Sequence, residues 1–303
     1  MEQNGKIQNS EVCQLKNEHL KSMTSDYLYH FGLNTDNLQE RFGDVKFVCV
    51  GGSAHRMKMF AEYLREQLAG YVSVGDDLND ITGAAHRYSM YKVGPVLSVS
   101  HGIGAPSLAV MLDELFKLLY YAKCTSVTIF RIGTSGGIGV QPGTVVITDQ
   151  ALNGFLQPHY EQIILGKVIT REAVLDKTLV SEIKAVAEKM DDIEVVTGGT
   201  MCAADFYEAQ GRLDGSVCNY TADDKKQFLQ KLFNAGVRNI EMESVCIAAK
   251  CHLVNIKCAI VCVALLNRLH GDQITTPPEL YKKYELRPQR LVTQFIKTKL
   301  GFK

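Results

Sequence analysis

The chain alternates short apolar runs with helical patterns, and this alternation constrains its fold more than any other feature. Runs rich in β-branched residues end at glycine or a polar turn in VKFVCVGG, PVLSVSHGIG, SVTIFRIGTSGG, GTVVITDQ and IKCAIVCVALL. Helical patterns such as RMKMFAEYLREQLA and APSLAVMLDELFKLLYYAK separate several of these runs, and RPQRLVTQFIKTKL predicts a closing amphipathic helix. Strands that alternate with helices predict an α/β fold around a buried sheet.

No internal repeat and no linker rich in proline, glycine or serine divides the chain. We therefore predict a disordered tail over residues 1–20 and a single domain over residues 21–303. The stretch SMTSDYLYHFGLN predicts a short helix capped by Ser25 or Asp26.

Charge and hydropathy exclude several classes of partner. Lysine plus arginine and aspartate plus glutamate both total 33, and no long basic block occurs, so we expect no nucleic-acid partner. The polar N-terminus lacks a signal peptide, and no apolar run approaches the roughly 20 residues of a membrane helix, which predicts a cytoplasmic protein without a membrane partner. The nine cysteines lie mostly in apolar runs without zinc-site spacing, so we expect reduced thiols and no metal site.

Candidate ligand-binding residues follow the predicted strands, because ligands of open α/β sheets gather at the carboxyl ends of strands. This rule selects Gly52 and Arg56, then His101, then Arg131 and Thr134, and finally the segment LLNRLHGD. No P-loop occurs, and GIGAPS lacks the final small residue of a dinucleotide fingerprint. Glycine amides, arginines and a hydroxyl suit a small oxyanion. The alternative for Arg131 is a structural ion pair.

A second group of polar residues occurs in TMCAADFYEAQGRLDG. An amide and a guanidinium, Gln210 and Arg212, flank a glycine and could recognise the carbonyl and N–H edge of a pyrimidine. Phe206 could stack on the same ring. Alternatively, QGR is an ordinary polar turn.

Two carboxylates, Glu241 and Glu243, stand two residues apart in NIEMESVCIAAKC, at a predicted strand-to-helix turn. Glu243 could cap the helix. A carboxylate at such a turn can equally accept hydrogen bonds from the paired hydroxyls of a ribose.

These segments together carry a resemblance to a known family. GDVKFVCVGGSAHRMKMF, MYKVGPVLSVSHGIG, RIGTSGGIG, PGTVVIT, TMCAADFYEAQGRLDG, AGVRNIEMES and LLNRLHGDQI resemble the animal uridine phosphorylases, in order, from about Tyr27 to the C-terminus. The resemblance implies the nucleoside phosphorylase fold, with a mixed, twisted central β-sheet surrounded by α-helices. It also implies reversible cleavage of uridine by phosphate to uracil and ribose 1-phosphate, without a cofactor.

The resemblance further implies roles for individual residues. Arg87 and His30 match residues that cross to the neighbouring subunit's phosphate and ribose, which makes a homodimer with shared active sites the expected unit. Arg212, Gln210 and Arg131 are the expected catalytic residues. The implied contacts are Gly52, Arg56, Arg87, Arg131 and Thr134 for phosphate; His30, Met242 and Glu243 for ribose; and Phe206, Gln210, Arg212, Leu265, Leu266 and Ile274 for uracil.

The sequence departs from the family pattern beside the QGR turn, where alanine occupies positions 203, 204 and 209. We expect these alanines to affect the preference among substrates and their affinity more than the type of reaction. A purine nucleoside or methylthioadenosine phosphorylase would need an acid to protonate the base, and Asn267 stands where that acid is expected. A catalytically silent nucleoside-binding protein on the same fold is the other alternative.

Overall fold

An eight-stranded mixed sheet organises the residues that the computed structural model describes, which are 12–23, 25–70, 78–83 and 85–302. Across it the strands follow the order β11, β10, β7, β12, β6, β3, β5, β4, and β11 also pairs with β6. The strands are β1 (Tyr27–Leu28), β2 (Leu33–Asn34), β3 (Phe47–Gly51), β4 (Met90–Val93), β5 (Val96–Ser100), β6 (Thr128–Gly137), β7 (Val145–Leu152), β8 (His159–Ile164), β9 (Lys167–Glu172), β10 (Val195–Cys202), β11 (Val237–Glu241) and β12 (Lys257–Asn267).

The centre of the sheet is parallel, because β5, β3, β6 and β12 run in one direction, whereas β4 and β7 pair antiparallel with β5 and β12. β1 with β2, and β8 with β9, form separate antiparallel ladders. The predicted α/β class, with a mixed sheet surrounded by helices, is confirmed.

Helices cover both faces of the sheet. They are α1 (Leu38–Phe42), α2 (Ala54–Gln67), α3 (Gly104–Tyr121), α4 (Lys177–Ala187), α5 (Ala222–Asn234), α6 (Ser244–Leu253) and α7 (Pro278–Lys299). One apolar cluster joins α1, α3 and α6 to the sheet, and a second joins α2, α4 and α7 to the opposite face. A third, smaller cluster packs α5 against β10 and β11. Within the described ranges, no helix is long and apolar enough to cross a membrane.

The helix predicted over SMTSDYLYHFGLN is wrong. Residues 27–28 and 33–34 instead pair as β1 and β2, and Gly32 turns between them with φ of 65°. The carboxylate of Glu114, on α3, accepts hydrogen bonds from the backbone N–H groups of His30 and Phe31. Glu114 lies 84 residues from His30 in the sequence. Its carboxylate supplies the hydrogen-bond acceptors that a local helix would have provided.

The predicted N-terminal tail is only partly within the described residues. Residues 1–11 lie outside them. Val12 forms a β-bridge with Thr125, Cys13 is buried, and a short 3₁₀-helix covers Glu18–Ser22. Within the described part of the predicted tail, Cys13 is buried, whereas the 3₁₀-helix has no buried residue.

Candidate functional site

A cavity of about 440 Å³ opens at the carboxyl ends of β3, β5, β6 and β12. Twelve predicted contact residues line it: Gly52, Arg56, Arg131, Thr134, Phe206, Gln210, Arg212, Met242, Glu243, Leu265, Leu266 and Ile274. A larger cleft of about 740 Å³ lies near the amino ends of β3, β6 and β12, but none of the predicted residues line it. We locate the candidate site in the smaller cavity because charged and hydrogen-bonding groups converge there.

One end of the cavity is built from the turn after β3. Ser53 caps α2 by accepting a hydrogen bond from the backbone N–H of Arg56 (3.4 Å). This places Arg56 in the first helical turn, where Nη1 contacts Oγ1 of Thr134 at 3.3 Å. A Cβ atom at residue 52 would lie 3.0 Å from the carbonyl oxygen of Gly102, so glycine allows the two turns to approach.

Arg131 lies inside β6 and not at its end, which corrects the sequence prediction, and Thr134 follows it in the same strand. The side chain of Arg131 is 5% exposed, and its Nη2 donates a hydrogen bond to Glu243. Oε2 of Glu241 lies 2.9 Å from Nε, although the N–H is not aligned for a hydrogen bond, so this contact is an ion pair. A Cβ atom at residue 133 would lie 2.2 Å from Nη1, which explains why glycine follows Ile132.

The ion-pair interpretation of Arg131 is therefore realised, and the same side chain also lines the cavity. A guanidinium has five N–H donors. One is used by Glu243, another is directed at Sγ of Cys262 (2.9 Å), and Nε faces Glu241. One N–H on each terminal nitrogen is left for an anion.

The pKa values of the two carboxylates beside Arg131 are shifted in opposite directions. Burial alone would raise the pKa of Glu243, but Arg131, His101 and the Gly104 N–H lower it to about 2. Burial raises the pKa of Glu241, and Arg131 only partly opposes that effect. Since both share one cation, Glu243 is the carboxylate that stays ionised most firmly.

The capping interpretation of Glu243 is wrong. It occupies the position before α6, but its side chain makes no capping hydrogen bond. Its Oε1 instead accepts the backbone N–H of Gly104 at 2.6 Å. The carboxylate of Glu241 accepts the backbone N–H groups of Glu243 and Ser244 at 3.1 and 2.9 Å. Glu241 thus accepts the first two N–H groups at the start of α6, while Glu243 lines the cavity.

His101, selected by the strand-end rule, is fully buried at the cavity wall. Burial lowers its pKa to about 4, despite the opposing charge of Glu243. The imidazole is therefore neutral at physiological pH. Neither ring nitrogen has a hydrogen-bond partner among the described residues.

The other end of the cavity is the QGR turn. Gly211 adopts φ of 64°, a left-handed conformation that favours glycine, and Gln210 and Arg212 are buried on either side. The guanidinium of Arg212 lies 4.6 Å from the ring centroid of Phe206. Its Nε and Nη2 donate to the two carboxylate oxygens of Asp214 at 2.8 and 2.6 Å. Phe206 is about half exposed, at 48%, so its ring has open space for a planar ligand.

Arg268 is the main residue that the list of predicted contacts omits. It is 1% exposed, and Nη2 donates to the backbone carbonyl of Gln210 at 2.8 Å while Nη1 contacts its Oε1 at 3.3 Å. Nε donates to Asp272 at 3.0 Å. The strand-end rule could have identified it, because Arg268 directly follows β12 within the selected segment LLNRLHGD.

His30 and Arg87 do not line the cavity of their own chain. Nδ1 of His30 lies 2.7 Å from Oε1 of Glu114, and its side chain is 44% exposed. Arg87 is exposed and forms no ion pair with the described part of the chain.

The chain is similar to known proteins both in sequence and in fold. Residues 46–297 match the phosphorylase superfamily. Uridine phosphorylase 1 of Mus musculus is 52% identical over 97% of this chain and 94% of that protein. A Schistosoma mansoni protein named inactive uridine phosphorylase B is 41% identical over 96% and 98% of the two chains. A solved structure of a uridine phosphorylase from the oomycete Phytophthora capsici superposes with a TM-score of 0.92 and 44% identity, over 96% of this chain and 99% of that one.

Proposed function

Since the chain belongs to the uridine phosphorylases of the phosphorylase superfamily, we propose that it catalyses the reversible phosphorolysis of uridine to uracil and ribose 1-phosphate. The observation that carries this proposal is the convergence on one cavity of Arg56 and Arg131 near Gly52 with the half-exposed ring of Phe206 near Gln210 and Arg212. Inorganic phosphate is the co-substrate, and the reaction needs no cofactor.

In this mechanism no side chain attacks the sugar. A phosphate oxygen bonds to the anomeric carbon while the bond from that carbon to N1 of uracil breaks, and the electron pair moves onto the ring, which then takes a proton. Arg56, Thr134 and the free N–H donors of Arg131 hold the phosphate in position. Placing the reactants in this way converts an encounter in solution into a reaction within one complex.

Arg212 and Gln210 stabilise the negative charge that develops on uracil. The backbone and side chain of Gln210 are fixed by Arg268, so its amide is oriented before substrate arrives. Glu243 and Met242 hold the ribose, and Leu265, Leu266 and Ile274 form apolar walls around the base. Apolar walls suit a ring whose polar edge is recognised by only two side chains.

We further propose that the active unit is a homodimer in which Arg87 and His30 complete the partner's site. The contact of His30 with Glu114 occupies Nδ1 and leaves Nε2 for a ligand outside the chain. Co-expression of Arg87→Ala with Arg56→Ala tests this. Half of the mixed dimers' sites would then be intact, so random mixing restores about a quarter of the wild-type activity. Mixed preparations that stay as inactive as the two variants would refute shared sites.

A cytoplasmic location is also proposed. It is supported by the nine cysteines, which are all free thiols and, apart from Cys218, buried. Reduced thiols are typical of intracellular proteins.

The alternative of a silent nucleoside-binding protein deserves a direct test, because one relative carries the name inactive uridine phosphorylase B. A purine substrate is less consistent with the site, since Oδ1 of Asn267 accepts the backbone N–H groups of Gly139 and Leu269 at 3.2 and 3.1 Å. An amide held in this way cannot donate a proton to a purine.

The deciding experiment is uracil release from uridine by the purified protein, with and without phosphate, and with inosine in parallel. Phosphate-dependent cleavage of uridine alone is expected. Binding of uridine without cleavage would replace the enzyme by the silent binder, and cleavage without phosphate would indicate hydrolysis.

A further inference from the structure

The guanidinium of Arg56 is shared between two elements that are far apart in sequence. Nη1 donates to Oε1 of Glu285 at 3.0 Å and contacts Oγ1 of Thr134 at 3.3 Å. Nη2 points the other way and would lie 3.6 Å from a Cβ atom built at Gly52. One terminal nitrogen is thus held by the protein, while the other faces the turn that belongs to the proposed phosphate site.

Glu285 comes from α7, 229 residues after Arg56. Tyr281, Glu285 and Gln289 are spaced four residues apart, so they lie along one face of this helix. Tyr281 lines the main cavity, while Glu285 and Gln289 line a small adjoining void of about 10 Å³ beside Thr134. Burial and the neighbouring Glu285 carboxylate raise the pKa of Tyr281, so its hydroxyl stays protonated. One face of the C-terminal helix therefore forms the outer wall of the site.

We propose that Glu285 is a positioning residue for phosphate, which fixes Arg56 in the orientation that binds the anion. The inference rests on the proposed function, because it takes Arg56 as a phosphate contact. An arginine side chain has many rotamers, and binding normally has to immobilise them. The tether to Glu285 immobilises Arg56 before phosphate arrives, with side-chain exposures of 26% and 20% for the two partners.

A carboxylate beside an anion site could instead compete with phosphate for the arginine. The geometry favours the tether, since Glu285 takes only Nη1, and Nη2 remains available next to Gly52. The two roles predict opposite effects. Loss of a tether weakens phosphate binding, whereas loss of a competitor strengthens it.

The test is steady-state phosphorolysis by Glu285→Ala and Glu285→Gln, with the KM for phosphate and for uridine measured separately. Glu285→Ala should raise the KM for phosphate roughly two- to tenfold, the range for immobilising one flexible side chain, and leave the KM for uridine unchanged. Glu285→Gln keeps an oxygen acceptor for Nη1 and should stay within about twofold of wild type. A double-mutant cycle with Arg56→Lys should show that the two positions are coupled.

Asp192→Ala is the matched control, because it removes a different ion pair to α7, the one with Arg290, away from the cavity. It should leave both KM values unchanged. An unchanged or lower phosphate KM in Glu285→Ala would overturn the inference, as would an equal rise in both KM values. If wild type itself shows no phosphate-dependent cleavage of uridine, the proposed function fails instead.

Discussion

Replacing Arg131 by methionine tests a buried cluster of three charged side chains in the site. The side chains of Glu241 and Glu243 are 2% and 6% exposed, and Arg131 is the cation between them. Methionine fills similar space without charge and leaves two buried carboxylates uncompensated. Breaking a buried pair by removing one partner costs about 3–5 kcal/mol. We expect a loss of that size in the free energy of unfolding near pH 8, together with loss of phosphorolysis.

The loss should depend on pH in a defined direction. In wild type the pKa of Glu243 is lowered to about 2, so its contribution to stability is full above its unfolded-state pKa of about 4.3 and is lost as the pH falls towards 2. Without Arg131, burial raises the folded-state pKa of both carboxylates above the unfolded value. They then destabilise the fold most at high pH, and protonation relieves that cost as the pH falls. The difference between wild type and variant should therefore shrink from pH 8 to pH 5.

Urea unfolding at both pH values measures this difference. Adding Glu241→Gln to Arg131→Met removes one uncompensated charge and should restore part of the lost stability at pH 8. Arg290→Met, which breaks the exposed pair with Asp192, serves as the surface control and should change stability little. A loss below about 1 kcal/mol that is also independent of pH would refute the reasoning.

Three further predictions concern the base-binding end and the thiols. Arg212→Ala should lower kcat about 10²-fold without changing the KM for phosphate, because a donor to the developing charge is lost; near-normal steady-state turnover would contradict this. Arg268→Met should raise the KM for uridine about tenfold and leave the KM for phosphate unchanged, because Gln210 loses the hydrogen bonds that fix it. Equal changes in the two KM values would contradict this and indicate general damage to the fold. Maleimide should label the native protein at Cys218 alone, as intact mass will show, and Cys218→Ser should abolish the rapid adduct.

The central strands could be predicted because buried parallel strands are nearly continuous apolar runs. All five predicted runs form strands of the main sheet, at β3, β5, β6, β7 and β12. The hairpin of β8 and β9 gave no comparable turn signal. Its turn has Leu165 and Gly166 at φ of 49° and 76°, and leucine stands where asparagine or glycine is the usual indicator.

The candidate site could be predicted in part. The strand-end rule selected Gly52, Arg56, Arg131 and Thr134, whereas the roles of Met242, Leu265, Leu266 and Ile274 were implied only by the family resemblance. The partners of its arginines could not be predicted. Glu243 is 112 residues from Arg131, and Glu285 is 229 residues from Arg56. No local pattern links residues at such separations, and only the folded sheet and α7 bring them together. The sequence therefore indicated where an anion could bind but not how the charges of the site are balanced.

That balance affects how phosphate is attracted. Each of the four arginines that line the cavity has a carboxylate partner: Arg56 has Glu285, Arg131 has Glu241 and Glu243, Arg212 has Asp214, and Arg268 has Asp272. The field at the cavity is accordingly much weaker than four free guanidiniums would produce. Arg87, by contrast, is exposed and forms no ion pair within the described ranges of its chain. If it enters the neighbouring site, as proposed, it adds an uncompensated positive charge. Dimer assembly and phosphate affinity should then be linked, because assembly adds this cation to a site whose own arginines are already paired with carboxylates.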